Sequence, residues 1–279
     1  MYLGRLADSV RRLERGMGLA RATGQSHLIT YLLIAQSVTY GMLGRFTDAS
    51  GCLADALEVA VLTDSAELHA MVLGYQCWIA TYTSDLDVAL RTGEAALAVG
   101  GPDQDWFGSV AGGMLAQARL HAGDPQGAID LLLEAGGGPE LPLMDPPSQP
   151  NWYSVLTTAS VRLGDSGQAA RWAERAGEVA AELGMPLRTG FANLARSHAA
   201  LAADPADPAD AADALRWALA AVAITTRGSL PGQCWERSVH WRFCGLSDTC
   251  GTCCSGRRVA PRRSRRSCSV PVSRSPSWV

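Results

Sequence analysis

Apolar side chains recur along most of this chain at intervals of three and four residues, the spacing that lines one face of an α-helix. Helix-favouring runs with that spacing occupy Leu6–Ala22, Ala49–Leu62, Leu86–Val99, Gln126–Glu134, Gly167–Leu183 and Ala209–Thr225. Between them lie Ser26–Leu43, Ala66–Tyr82, Trp106–His121, Trp152–Leu163 and Leu187–Ala202, which are more apolar and are expected to form the buried layer. Most runs stop at glycine or at a polar break: Gly24, Asp64, Gly100-Gly101, Gly136-Gly137-Gly138 and Gly184. No segment stands out with the two-residue alternation of a strand. The pattern predicts an all-α chain.

The helices are punctuated at a fixed interval. Leu3-Gly4-Arg5-Leu6-Ala7-Asp8-Ser9 returns as Leu43-Gly44-Arg45-Phe46-Thr47-Asp48-Ala49, then as Ser84-Asp85-Leu86-Asp87-Val88-Ala89. Further copies are Gly123-Asp124-Pro125-Gln126-Gly127-Ala128, Gly164-Asp165-Ser166-Gly167-Gln168-Ala169 and a degenerate Asp204-Pro205-Ala206-Asp207-Pro208-Ala209. The anchors fall at 4, 44, 84, 123, 164 and 204, in steps of 39 to 41 residues. The chemistry at each anchor suits a tight helix–turn–helix. Glycine accepts the left-handed conformation that ends one helix. Asp85, Asp124 and Asp165 can cap the next by accepting its orphan amide hydrogens. Pro125 and Pro205 stand at the first helical position, where a missing N–H costs nothing. The small residue five after the anchor lets the new helix pack closely on the old one.

The expected fold is therefore an α-solenoid of about six helix pairs, with about 40 residues per repeat. The period matches HEAT or armadillo repeats, whereas the Leu-Gly turn followed by small residues looks like a TPR; a lengthened, TPR-like repeat reconciles the two.

Several runs resemble the helical-repeat region of the large ATP-binding LuxR-type regulators of actinobacteria. They are Leu3-Gly4-Arg5-Leu6 followed by Leu13-Glu14-Arg15, then Leu19-Ala20-Arg21-Ala22-Thr23-Gly24, Gly136-Gly137-Gly138-Pro139-Glu140-Leu141-Pro142-Leu143 and Arg171-Trp172-Ala173-Glu174-Arg175-Ala176. The resemblance spans roughly residues 1–226. In that family a nucleotide-binding ATPase module precedes the repeats and a DNA-binding helix-turn-helix follows them. The repeats sense an inducer or partner and couple it to oligomerisation. This chain lacks a phosphate loop and a segment with the family's recognition-helix pattern. The resemblance thus implies a truncated sensor segment that binds a protein or a small inducer on its concave surface, without ATPase activity or specific DNA binding. It carries over no catalytic, cofactor-binding or metal-binding residue. The alternative is a free-standing TPR-like interaction scaffold. Met1 lies almost at an anchor, so an uncapped first helix is expected. Its exposed apolar side chains, each worth about 1.5–3 kcal/mol when buried, predict self-association through the ends or marginal stability.

Charge and cysteine content split the sequence in two. All 24 cations are arginine; without lysine there is neither a Walker-type phosphate loop nor Schiff-base chemistry. Residues 1–230 hold 15 Arg against 25 Asp and Glu, a net charge of -10, and residues 231–279 hold nine Arg against Glu236 and Asp248, a net of +7. Six of the eight cysteines and only one alanine, Ala260, fall in the latter stretch. The expected division is a helical-repeat domain over 1–229 and an Arg/Ser/Cys-rich tail over 230–279. The tail contains one C-x-x-C, Cys250-Gly251-Thr252-Cys253, with Cys244, Cys254 and His240 nearby, where a zinc finger needs two such pairs. Its arginine pairs, 257-258, 262-263 and 265-266, could meet phosphates without reading sequence. The expectation, over either of these, is a disordered C-terminal tail produced by a frameshift in a GC-rich gene, which the coding DNA tests.

The remaining candidates read as packing. Trp78, Trp106, Trp152, Trp172 and Trp217 sit at helical positions and are taken as core residues over lining of a ligand groove. His27, His69, His121 and His198 show no metal spacing and are expected on helix surfaces or at caps. Cys52 and Cys77 are expected to be buried, reduced thiols of a cytoplasmic protein. The proline-rich stretch Pro139–Pro150 is open to two readings, an extended binding loop or a rigid linker between solenoid halves. No run of 18 apolar residues suggests a membrane span, and the arginine-rich start lacks the apolar core of a secretion signal.

Overall fold

The computed structural model describes residues 5–83, 85–101, 106–203 and 212–220. The chain divides into two units, Met1–Leu246 and Ser247–Val279, and every described residue belongs to the first. The expected tail, residues 230–279, lies outside the described residues, as do the anchors at Gly4, Ser84 and Asp204.

Ten helices follow one another: α1 Leu6–Ala22, α2 Ser26–Met42, α3 Phe46–Leu62, α4 Ala66–Thr83, α5 Leu86–Gly100, α6 Trp106–His121, α7 Pro125–Gly136, α8 Gln149–Arg162, α9 Ser166–Leu183 and α10 Pro186–Ala203. Residues 212–220 are helical as well, and no strand occurs among the described residues. Each helix packs on its successor in the chain, and α4 with α6 and α8 with α10 pack as alternate neighbours. This is the α-solenoid of helix pairs that the sequence pattern predicts.

The turns follow the anticipated chemistry. Gly44, Gly123 and Gly164 take φ of 74°, 91° and 78°, in the left-handed region that glycine enters without steric cost. The Asp85, Asp124 and Asp165 carboxylates accept the amide hydrogens of Val88, Gly127 and Gln168 at 3.2, 2.9 and 2.8 Å. Pro125 opens α7. At the other turns Gly24 and Gly184 are left-handed, and Asp64 enters the same region at φ 51°. Helix α3 starts three residues before the expected Ala49, because Gly44 ends α2 abruptly and Arg45 can then pair with Asp48 at 2.6 Å.

Two populations of helix result. In the first helix of each pair, burial is confined to one face, such as Ala49, Leu53, Ala56 and Ala60 of α3 or Ala169, Trp172, Ala173, Ala176 and Ala180 of α9. Ala49, Ala89, Ala128 and Ala169, five residues after their anchors, are all buried. The second helices are buried nearly all round, as in α6 from Ser109 to Ala118. Two apolar cores form along the stack. One joins Met17, Leu33, Leu53 and Met71 of α1–α4. The other runs from Cys77 of α4 through Leu132 and Tyr153 to Ala195 of α10.

The segment between α7 and α8 departs from both sequence-based readings. It is neither extended nor a bare linker. Leu141 and Met144 are buried within the second core. The Tyr153 hydroxyl donates to the Pro139 carbonyl at 3.1 Å and the Ser109 hydroxyl to the Leu143 carbonyl at 2.9 Å. Gln149 Nε2 donates to the Leu141 carbonyl at 3.1 Å. The prolines remove donors and stiffen the backbone, while the leucines between them supply the apolar surface that turns the segment inward.

Candidate recognition surface

Helical register places equivalent residues of the second helices beside one another. Counting back from each anchor, one row reads Val38, Trp78, Gln117, Thr158 and His198, and the next, one turn on, Met42, Tyr82, His121, Arg162 and Ala202. Positions four apart share a helix face, so the two rows form one surface across α2, α4, α6, α8 and α10. The first row is largely buried. Trp78 and all five members of the second row are half-buried, with an edge reaching solvent.

Aromatic contacts knit this surface together. Trp78 meets Tyr75 and Tyr82 edge-on, with ring centroids 6.4 and 5.6 Å apart. Tyr82 stacks on Phe46 at 6.4 Å and touches the His121 ring at 6.1 Å. Gln117, 1% exposed, donates from Nε2 to the Tyr82 hydroxyl at 2.7 Å, and its Oε1 has no partner. Turning the amide over would let the hydroxyl donate to Oε1 and leave Nε2 unsatisfied instead, so one end is orphaned in either orientation. An orphaned buried polar group costs about 1–3 kcal/mol. The Arg162 guanidinium donates to the Leu120 carbonyl beside His121. Further along, the Thr158 hydroxyl and His198 Nδ1 lie 2.9 Å apart, both fully buried.

The charge pattern of the second helices differs from the rest. Of the 25 carboxylates in residues 1–230, they carry one, Glu67. It belongs to the start of α4, where a backbone amide and, less strongly, the Ser65 hydroxyl hold its carboxyl below the usual range. The other helical carboxylates stand on the first helices.

The tryptophans divide by environment. Trp152 and Trp172 are core residues, Trp78 and Trp217 are half-buried, and Trp106 is exposed, so packing accounts for two of the five fully. Sequence periodicity found the helices that bear them but could not tell a core face from an accessible one. It also passed over Gln117, whose meaning comes only from its place beneath Tyr82. Two guanidinium groups, Arg196 and Arg216, stand over the Trp217 ring, 4.9 and 5.0 Å from its centroid.

Cys52 and Cys77 are free thiols. Cys77 is buried as expected, and burial pushes its thiol up to about 12. Cys52 is only half-buried, a correction to the sequence reading, because it faces the flank of α3 and not the stripe of Ala49 and Leu53. His27 is exposed and His69 half-buried, whereas His198 is buried against Thr158, a correction to the expected surface or cap role. Among the described residues no three His, Cys, Asp or Glu side chains gather as metal ligands would, and no helix is long and apolar enough to cross a membrane. The C-x-x-C and the arginine pairs of residues 231–279 lie outside the described residues.

No family model and no curated protein matches the chain. Among solved structures it is similar to BtubC (BKLC) from P. vanneervenii, with 15% identity and a TM-score of 0.39 over 97% of this chain and 98% of that one.

Proposed function

We propose that this chain is a non-catalytic, TPR-like recognition segment of the cytoplasm that binds a protein or small inducer on its second helices. It resembles the sensor part of a LuxR-type transcriptional regulator. The observation that carries this reading is the half-buried aromatic surface of Tyr75, Trp78 and Tyr82. Rings held by neighbouring rings offer contact area at little conformational cost on binding. The functional groups around it can stack and hydrogen-bond.

Two measurements test the reading. A screen of small ligands and peptides against the 15N-labelled chain should give hits that move the Trp78 indole resonance and are lost in Trp78→Ala. Hits confined to other surfaces would exclude this site. The neighbouring DNA addresses the regulatory part. ATPase and helix-turn-helix coding sequence flanking codons 1 and 220–279 is expected of a regulator, and an isolated gene indicates a free-standing scaffold.

A further inference from the structure

We infer that the open face of the first helix pair is an interface between two copies of this chain, which pair symmetrically with α2 of each copy lying against α1 and α2 of the other. Equivalent positions in the repeats identify this face as a seat for a second helix. Each of α3, α5, α7 and α9 lies between its own second helix and that of the preceding pair, and α4 also packs on α2. No counterpart of that preceding helix adjoins α1 and α2 among the described residues. Side chains that it covers elsewhere are open here. Ala49, Ala89, Ala128 and Ala169 are buried, and their counterpart Ser9 is half-buried. Leu53, Leu132 and Ala173 are buried, and their counterpart Leu13 is half-buried. On α2, Leu28 and Tyr31 are 38% and 43% exposed, whereas their counterparts one repeat on, Leu68 and Met71, belong to the first core.

Charge and size argue for a second copy as the occupant. Of the ten helices, α2 alone carries no Asp, Glu or Arg. A two-fold axis sets each group close to its own image, so a charged helix there would repel itself. The α2 face brings no such charge and presents Tyr31, a side-chain type that often anchors interfaces. Arg12 of α1 flanks the seat, and its stem can lie along the partner helix while the guanidinium stays in water. Both helices have 17 residues, about 25 Å at 1.5 Å per residue. Two helices side by side span about 20 Å. Mutual coverage therefore takes on the order of 500 Å² from each copy, which reaches the lower end of specific interfaces.

Sedimentation equilibrium of the full chain, kept reduced, tests the pairing. The mass should rise with concentration from one chain to two and level there, and the urea midpoint should rise with concentration alongside it. Tyr31→Arg, which sets two unpaired charges into the contact, should weaken pairing by about a hundredfold, and Leu28→Arg by about tenfold. Both side chains reach solvent in the single chain, so both variants should keep the parent's helical circular dichroism. Leu62→Arg and Leu163→Arg place the same charge at leucines exposed elsewhere and should pair like the parent. A single-chain mass at every concentration, a mass that climbs past two chains, indifference to both α2 variants, or equal loss in the Leu62 and Leu163 variants overturns the inference.

Discussion

Gly112 and Gly177 both lie inside buried helix faces, yet an added methyl group meets different neighbours. At Gly112 it would collide with the Cβ of Ala135, which cannot move without α7. At Gly177 it would meet the tip of the Arg196 side chain, which can swing away. Gly112→Ala should therefore destabilise by about 1–3 kcal/mol. Gly177→Ala should be neutral or stabilise by up to about 1 kcal/mol, because alanine loses less backbone freedom in a helix. Urea titrations of the two variants compare them directly. Cys77 gives a prediction in pH. Burial raises its thiol from 9.0 to about 12. Its contribution to stability is complete below the pKa of the unfolded thiol and is lost as pH climbs from about 9 towards 12, by roughly 1.4 kcal/mol per pH unit within that window. Burial pushes Tyr40, Tyr153 and Cys52 the same way. Cys77→Ala should flatten the alkaline fall in urea midpoint without abolishing it; an unchanged slope would show that the thiol does not titrate there.

Single helices were legible because their start and stop signals are local. The Gly-Asp turns declare themselves in four or five letters, and Asp124 with Pro125 opens α7 within one residue of the expected place. Asp124→Ala should cost about 1 kcal/mol as the Gly127 amide loses its acceptor, measured as a drop in urea midpoint. The segment between α7 and α8 was not legible, since its prolines indicate stiffness and say nothing of direction. Its inward course depends on partners far along the chain: Ser109 on α6 and Tyr153 on α8. Tyr153→Phe tests that anchoring. Removing the hydroxyl leaves the Pro139 carbonyl without that donor, and proteolysis between Gly137 and Gln149 should quicken while cleavage elsewhere does not.

For the molecule as a whole, the division into two apolar cores has a thermodynamic consequence. Neighbour-only packing makes stability a sum of local terms, so unfolding need not be all-or-none. The core of α1–α4 and the core of α4–α10 meet in α4, where Met71 belongs to one and Cys77 to the other. Leu53→Ala, which opens a void in the first core, should cost about 2–5 kcal/mol there. Amide hydrogen exchange should then accelerate in α1–α3 while α6–α9 keep their protection. Uniform acceleration would mean that the two cores unfold together. The sequence reached this scale through its 40-residue period. The candidate recognition surface was beyond it, because that surface is an adjacency of Trp78, Tyr82, Gln117 and His121 on different helices, and a period marks equivalence without marking exposure.

Ala49, Ala89, Ala128 and Ala169 sit at the same place in successive repeats, each wholly enclosed. A single-base change in an alanine codon yields valine, threonine, proline, aspartate, glutamate, serine or glycine. The first five are too bulky, lack an amide hydrogen or bring a charge into a dry contact, and only serine and glycine are near the right size. These four codons should drift hardly at all among descendants of this gene, while the outward faces of the same helices accumulate change freely.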